Sequence, residues 1–314
     1  MPPQLDVRRL AQADADFGAA LHTALGLAPP ASPGSYAPEA SELLADAESR
    51  NLSVDSLHAA YVDSRLMSAS LAVESPGGAA LVFFPSEPGT VDARKATIAT
   101  LAAQIQAART RSVALLEILI PAALSDAAAI LQEAGYRRLT RLVYMVRETS
   151  VQDPVRRTAT DLTWITYSRQ TEAQFLAVIE LTYAQSLDCP ELIGIRSIDQ
   201  VLLGHKSAGV HDPQLWFVAL RGGKGVGVIL LSRIPRQQAL EIVYMGVAQL
   251  SRRTGVAHAL LRRAVEAARR QSARYLALAV DERNGPARRM YASWGFRPTA
   301  ERDVWIATPM RTEG

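Results

Sequence analysis

The sequence predicts an α/β protein of two tandem domains, each a mixed, mostly antiparallel sheet flanked by helices. Two observations carry this reading. Strand-like runs with alternating or continuous apolar residues are interleaved with longer segments whose apolar residues recur at i, i+3, i+4 and i+7. These segments also follow one order in residues 1–150 and the same order again in 161–314, with 151–160 lacking periodicity and reading as a linker. A length of 314 residues suits two domains of ordinary size.

In the first half, Leu5 to Leu10 reads as a short strand, Asp14 to Leu25 as a helix, residues 28–40 as a Pro/Ser-rich loop, and Glu39 to Glu48 as a second helix. Residues 58–62, 66–73 and 79–84 form a strand meander broken by Asp-Ser and Pro-Gly-Gly turns. From Val91 to Arg109, Ile98, Leu101, Ala102, Ile105 and Ala108 share one helical face. The continuous apolar run at 113–120 suits a central strand, 125–135 a helix capped by Ser125 and closed by Gly135, and 139–148 a last strand. The second half repeats the series: strand 162–168, helix Glu172 to Gln185, strands 216–221, 225–234 and 239–247, helix Thr254 to Gln271, strand 274–280, helix 286–295 and a closing strand from Asp303. A shift of about 160 residues lays Gly135-Tyr136 on Gly295-Phe296.

Composition narrows the function. Hydrophobic residues make up 48% and charged residues 21%, which excludes collagenous and wholly disordered classes. The lone Cys189 allows no intrachain disulfide and no multi-cysteine metal framework, so a reducing, cytoplasmic setting is expected. The start lacks the apolar core of a signal peptide, and no run of about 18 apolar residues occurs, so neither secretion nor a membrane partner is expected. The net charge of +3 is uneven, because residues 252–302 carry +8 and the remainder −5. Such a basic concentration suits a polyanionic ligand or, equally, solvated arginine faces. No helix-turn-helix or aromatic-interleaved basic stripe is present, which argues against nucleic acid as a partner. The five histidines form no ligand spacing, so no metal is expected.

The chemistry is written at Glu241-Ile-Val-Tyr-Met245-Gly246-Val247 and in the Arg252-Arg253-Thr254-Gly255-Val256-Ala257 turn that follows. A strand ends there in a short loop, and a helix starts at once. That junction aims unpaired backbone N–H groups and the positive end of a helix dipole at one point, where a pyrophosphate can be held. Glu241, on an apolar strand face, is the candidate general base, because desolvation would raise its pKa; its competing role is an ion pair with an arginine. Further on, Asn284, Ala287, Tyr291, Gly295 and Phe296 keep a fixed spacing. Asn284 can cap a helix or meet the cofactor, and the two roles are compatible. Tyr291 is a candidate proton donor, or alternatively a core aromatic.

These residues resemble the acetyl-CoA-binding half of the GNAT acetyltransferase superfamily, over residues 162–310 in order. Ala257 stands where glycine is commoner. The resemblance implies acetyl-CoA as co-substrate and no metal. It implies coenzyme contacts from Met245, Gly246, Val247, Arg252, Arg253, Thr254, Gly255, Val256, Ala257, Asn284, Ala287 and Tyr291, with the N–H of Val247 or its neighbour polarising the acetyl carbonyl. In register, Thr90, Ala93 and Lys95 fall near Arg252, Gly255 and Ala257, and Leu131 opposite Tyr291, so residues 1–150 read as a degenerate copy. A decayed first copy before an intact second one is similar to the mycothiol synthase family of tandem acetyltransferases, with no substrate identity implied. Residues 188–191 follow the first helix of the second half, where relatives line the acceptor pocket; Cys189 there reads as an inert small hydrophobe. The expected activity is N-acetylation of a primary amine on a small molecule. The alternatives are a protein or peptide amine as acceptor, or a non-catalytic acyl-CoA-binding scaffold. The acceptor's identity and the oligomeric state are not legible.

Overall fold

The computed structural model of the chain describes residues 5–30, 36–122 and 124–309, the side chain of Ser125 excepted. The expected Ser125 cap and part of the Pro/Ser-rich loop therefore lie outside the described residues. The chain divides into two compact units, Met1–Leu139 with Asp303–Gly314, and Thr140–Arg302.

The first unit contains β1 (Leu5–Leu10), α1 (Phe17–Ala24), α2 (Pro38–Ser49), β2 (Ser53–Val62), β3 (Arg65–Glu74), β4 (Ala79–Phe83), α3 (Val91–Thr110), β5 (Leu115–Pro121) and α4 (Ser125–Glu133). The strands pair in the order β1-β2-β3-β4-β5, antiparallel except for the parallel β4–β5 step. Asp63 and Ser64 both take positive φ, 48° and 63°, the geometry of a tight two-residue hairpin between β2 and β3. Gln104 of α3 crosses a buried layer: its amide donates to the carbonyls of Ser56 at 2.9 Å and Ser70 at 2.8 Å, and its Oε1 accepts from the Ser56 hydroxyl at 2.8 Å.

The second unit runs from β6 (Arg137–Glu148) through β7 (Thr163–Thr166), α5 (Glu172–Tyr183), α6 (Ile198–Lys206), β8 (Val210–Arg221), β9 (Lys224–Ile234), β10 (Ala239–Val247), α7 (Val256–Arg270), β11 (Tyr275–Asp281) and α8 (Gly285–Ser293) into β12 (Arg297–Ala307). Its strand order is β7-β8-β9-β10-β11-β6, again antiparallel except for one parallel step, β10–β11. The two units thus share one pairing scheme over five strands. The outer place beside β11 is filled by β6, which precedes the linker in sequence, and the end of β12 buries Trp305 and Ala307 in the first unit's core. Periodicity reveals a strand but not its partner.

Two apolar layers enclose the second sheet. On one face Val256, Leu260, Leu261, Ala264, Val265 and Ala268 of α7 pack with Tyr291, Trp294 and the strand residues Leu240 and Ile242. On the other, Phe175, Val178 and Ile179 of α5 and Leu202 of α6 pack with Trp216, Val228 and Leu230.

Residues 149–159 form a strap on the second unit. Asp153 is gripped by Arg147 at 2.7 Å and by Arg269 at 2.9 and 3.0 Å, and six residues later the Ala159 N–H donates to the Gly255 carbonyl at 3.3 Å. Extended chain from 153 to 159 covers about 20 Å, which matches the roughly 21 Å rise of α7 between Gly255 and Arg269. An extended segment that pairs with no strand leaves no periodic signature, so the sequence shows it only as a linker.

Candidate active site

The site is built where β10 and β11 part. Their parallel pairing covers Ala239–Ile242 against Tyr275–Leu278, whereas β10 continues to Val247 paired with β9 alone. On the β11 side, the backbone of Val243 to Val247 is left open for an incoming chain of hydrogen-bonding groups. A bulge between Ile242 and Tyr244 resets the alternation of β10. Val243 and Tyr244 both turn to the α5–α6 face, and Met245 and Val247 join Leu240 and Ile242 on the α7 face. Strict alternation would put Met245 on the face of Glu241 and Val243; the extra residue moves it to the opposite one. Glu241 is half-buried, lies opposite Ser232 on β9 and Ala277 on β11, and has a polar partner of its own.

The turn after β10 presents the anion-binding surface. Arg253 has φ 63° and Gly255, the N-cap of α7, φ 87°. No side chain caps α7 and no acid lies in its first turn. Among the described residues the amides of Arg253 through His258 meet no protein acceptor, so consecutive N–H groups stand unpaired at the positive end of the helix dipole. That donor set fits a pyrophosphate. A Cβ on Gly255 would lie 2.8 Å from the Ala159 nitrogen and 3.1 Å from the Arg157 oxygen, so the strap holds this turn in place. In the first unit, the corresponding helix α3 is closed: the Thr90 hydroxyl accepts from the Ala93 N–H at 3.1 Å, and Asp92 puts negative charge in the first turn.

Other expected residues act through packing. The Arg252 guanidinium donates to the carbonyls of Ala184 at 2.6 Å, Gln185 at 3.0 Å and Val247 at 3.2 Å, bracing the end of α5 against the end of β10. Gly246 lets Thr182 of α5 approach, because a Cβ there would lie 2.4 Å from the threonine hydroxyl, which itself bonds the Tyr244 hydroxyl at 2.6 Å. Asn284 caps α8, accepting from the Ala287 N–H at 3.3 Å. Val256 is buried under α7, while Thr254 and Arg253 are exposed.

Tyr291 is buried on α8, edge-on to Phe296 at 5.6 Å, and its hydroxyl meets no hydrogen-bonding partner among the described residues. Burial, and then the charge of Asp188, pushes its phenol well above the usual range. Asp188 itself follows α5. Its Oδ1 accepts the Asp281 N–H at 3.0 Å, and the Cys189 N–H returns a bond to Asp281 Oδ2 at 3.1 Å. Arg283 completes the clasp, donating to Glu191 at 2.5 and 3.0 Å and to Asp281 at 2.7 Å. Asp188 is exposed as a residue, but the atoms packed around its carboxyl and the charge of Asp281 raise it, while hydrogen bonds from the Asp281 amide and Asn284 oppose this. For Asp281 burial also raises, but bonds from Arg283, Thr140 and Cys189 outweigh it and hold the group ionised.

The sequence singled out Cys189 in this loop; the structure ties the neighbouring Asp188 carboxylate to the Asp281 amide, from where its charge acts on Tyr291. Cys189 is half-buried, in no disulfide, on a left-handed backbone, φ 43°. Helix α6 also went unread, although Ser197 and Gln200 form a legible capping box. Its His205 packs on the Tyr244 ring at 5.2 Å with Nε2 buried, and burial lowers that imidazole to about 4. Among the described residues, no group of three His, Cys, Asp or Glu is placed to hold a metal, and no helix is long and apolar enough to cross a membrane.

Residues 181–296 match the family model of the acetyltransferase (GNAT) family. No curated protein sequence matches the chain. Among solved structures, a GCN5-related N-acetyltransferase from Sphaerobacter thermophilus is 20% identical with a TM-score of 0.64, over 97% of this chain and 96% of that one. A tandem GNAT protein from the clavulanic acid biosynthesis pathway is 15% identical with a TM-score of 0.55, over 99% of this chain and all of the other. A GCN5-related glucosamine N-acetyltransferase region of a fungal multi-domain GH3 β-N-acetylglucosaminidase is 11% identical with a TM-score of 0.63, over 98% of this chain and 38% of that one. These likenesses speak for the fold. The family match, over residues 181–296, spans the parted strands and the open turn, and the solved structures share the fold along nearly the whole chain.

Proposed function

We propose that the protein is an acetyl-CoA-dependent N-acetyltransferase that acts on a primary amine of a small molecule. The observation that supports this reading most is the run of acceptor-free amides from Arg253 to His258 at the head of α7, beside the open stretch of β10. Met245, Gly246 and Val247 would bind through the strand backbone, and Arg252 to Ala257 through the turn, with the Arg252 side chain as brace. Asn284 and Ala287 would shape the first turn of α8 beneath Tyr291. The wider reading takes 1–150 as a degenerate domain, 151–160 as the connection, 161–314 as the acetyl-CoA-binding domain, and the cytoplasm as its setting.

Acetyl transfer needs a neutral amine, a polarised carbonyl and a proton for the thiolate. Glu241 takes a proton from the acceptor ammonium, the Val247 region of β10 polarises the carbonyl through its N–H, and Tyr291 protonates the leaving sulfur. Coenzyme A supplies the activated acetyl group. Glu241→Gln is expected to lower kcat by about 10²-fold at neutral pH and leave acetyl-CoA affinity nearly unchanged. Thiol release over a panel of small amines and peptides, with calorimetric binding, tests this. A variant with wild-type kcat removes Glu241 from the role, peptide-only turnover moves the acceptor class, and binding without turnover on any amine leaves a scaffold.

A further inference from the structure

An amine that arrives as an ammonium ion loses two protons on its way to an amide, and Glu241 accounts for one. Resting on the acetyl-transfer reading, we propose that Asp188 is a second catalytic carboxylate, which takes the proton leaving nitrogen as the C–N bond forms and returns it to Tyr291.

Placement carries the argument. Glu241 is paired with Ala277, whereas Asp188 is bonded to the Asp281 amide, four residues further along β11. At roughly 3.3 Å per residue, the two carboxylates are tied to levels about 13 Å apart on the sheet. Had the strands stayed paired in the same register, Asp281 would stand beside Met245, so Asp188 belongs to the open end of β10 and Glu241 to its closed end. The clasp of Asp188, Cys189 and Glu191 onto Asp281 and Arg283 fixes the carboxylate against the start of α8, the helix that carries Tyr291. The titratable groups around Asp188 are Asp281 at the end of β11, Arg283 just after it, Tyr244 on β10 and Tyr291 on α8; both phenols feel its charge.

The step balances. The amine nitrogen bonds the acetyl carbon and gives one proton to Asp188, the C–S bond breaks, and sulfur takes the Tyr291 proton. Asp188 then reprotonates the phenolate, so both residues end as they began.

The test compares Asp188→Asn with Glu241→Gln in the full chain, using acetyl-CoA and the best amine of the panel, from neutral to alkaline pH. Asparagine Oδ1 can still accept the Asp281 N–H, so a purely structural Asp188 tolerates this change. The expected result is a kcat lower by about 10²-fold, calorimetric acetyl-CoA affinity within about two-fold of wild type, and no recovery at alkaline pH. The Glu241→Gln deficit should instead shrink there, because solution then supplies neutral amine. A kcat for Asp188→Asn within about two-fold of wild type, or a loss that recovers with pH as Glu241→Gln does, overturns the proposal. Should that variant not fold, Asp188→Glu decides: it changes the base itself, so the acid limb of kcat must move, and an unmoved limb overturns the role. Failure of the acetyl-transfer reading is distinct, since it shows as no thiol release by the unmutated chain.

Discussion

Tyr291 and His58 show what burial does to single groups. The Tyr291 phenol is raised by burial and by Asp188, so it stays protonated at neutral pH, ready to donate. Tyr291→Phe keeps the ring against Phe296 and removes only the proton; kcat should fall by about 10²-fold while the melting temperature stays close to wild type. His58 is buried in the first unit, and its Nδ1 has no partner among the described residues. Burial, then Arg9, lowers its pKa from 6.5 to about 4. An unfolded chain protonates this histidine below 6.5 and the folded one resists, so stability falls as pH drops from about 6.5 to about 4 and is fully present above that window. The loss attributable to His58 is about 3 kcal/mol, and His58→Gln should flatten the pH dependence of urea unfolding over that range.

At the scale of elements, the turn into α7 carries most of the proposed function and is also the most legible feature. Its glycine, its arginines and the strand before them are local in sequence, and local chemistry can be read directly. Gly255 combines a left-handed backbone with contact to the strap, so Gly255→Ala must both strain φ and displace Ala159. We expect a loss of about 1–3 kcal/mol in stability and of acetyl-CoA affinity together, by thermal melting and calorimetry. What the sequence hid was set by partners distant in the chain. The bulge in β10 depends on β9, and the placement of Asp188 depends on an amide 93 residues away. The guanidinium of Arg252 is spent on α5 carbonyls, which no motif spacing discloses. Helix α6 is a different kind of omission, since its capping box is local and could have been found.

For the molecule as a whole, the shared strand order of the two units agrees with the duplication read from the sequence, and the helix heads explain why the copies differ. In the first unit α3 is capped by Thr90 and carries Asp92; in the second α7 is uncapped and free of acid. A helix end with one donor already taken by its cap and an acid in its first turn repels a diphosphate, so one coenzyme per chain is expected. The most direct measurement is a crystal structure of the complex with acetyl-CoA. The account requires a single coenzyme, its pyrophosphate oxygens within hydrogen-bonding distance of amides between Arg253 and His258 and its pantetheine along the open edge of β10. A nucleotide lodged elsewhere while that turn is bare, or a second one at Thr90, would contradict it.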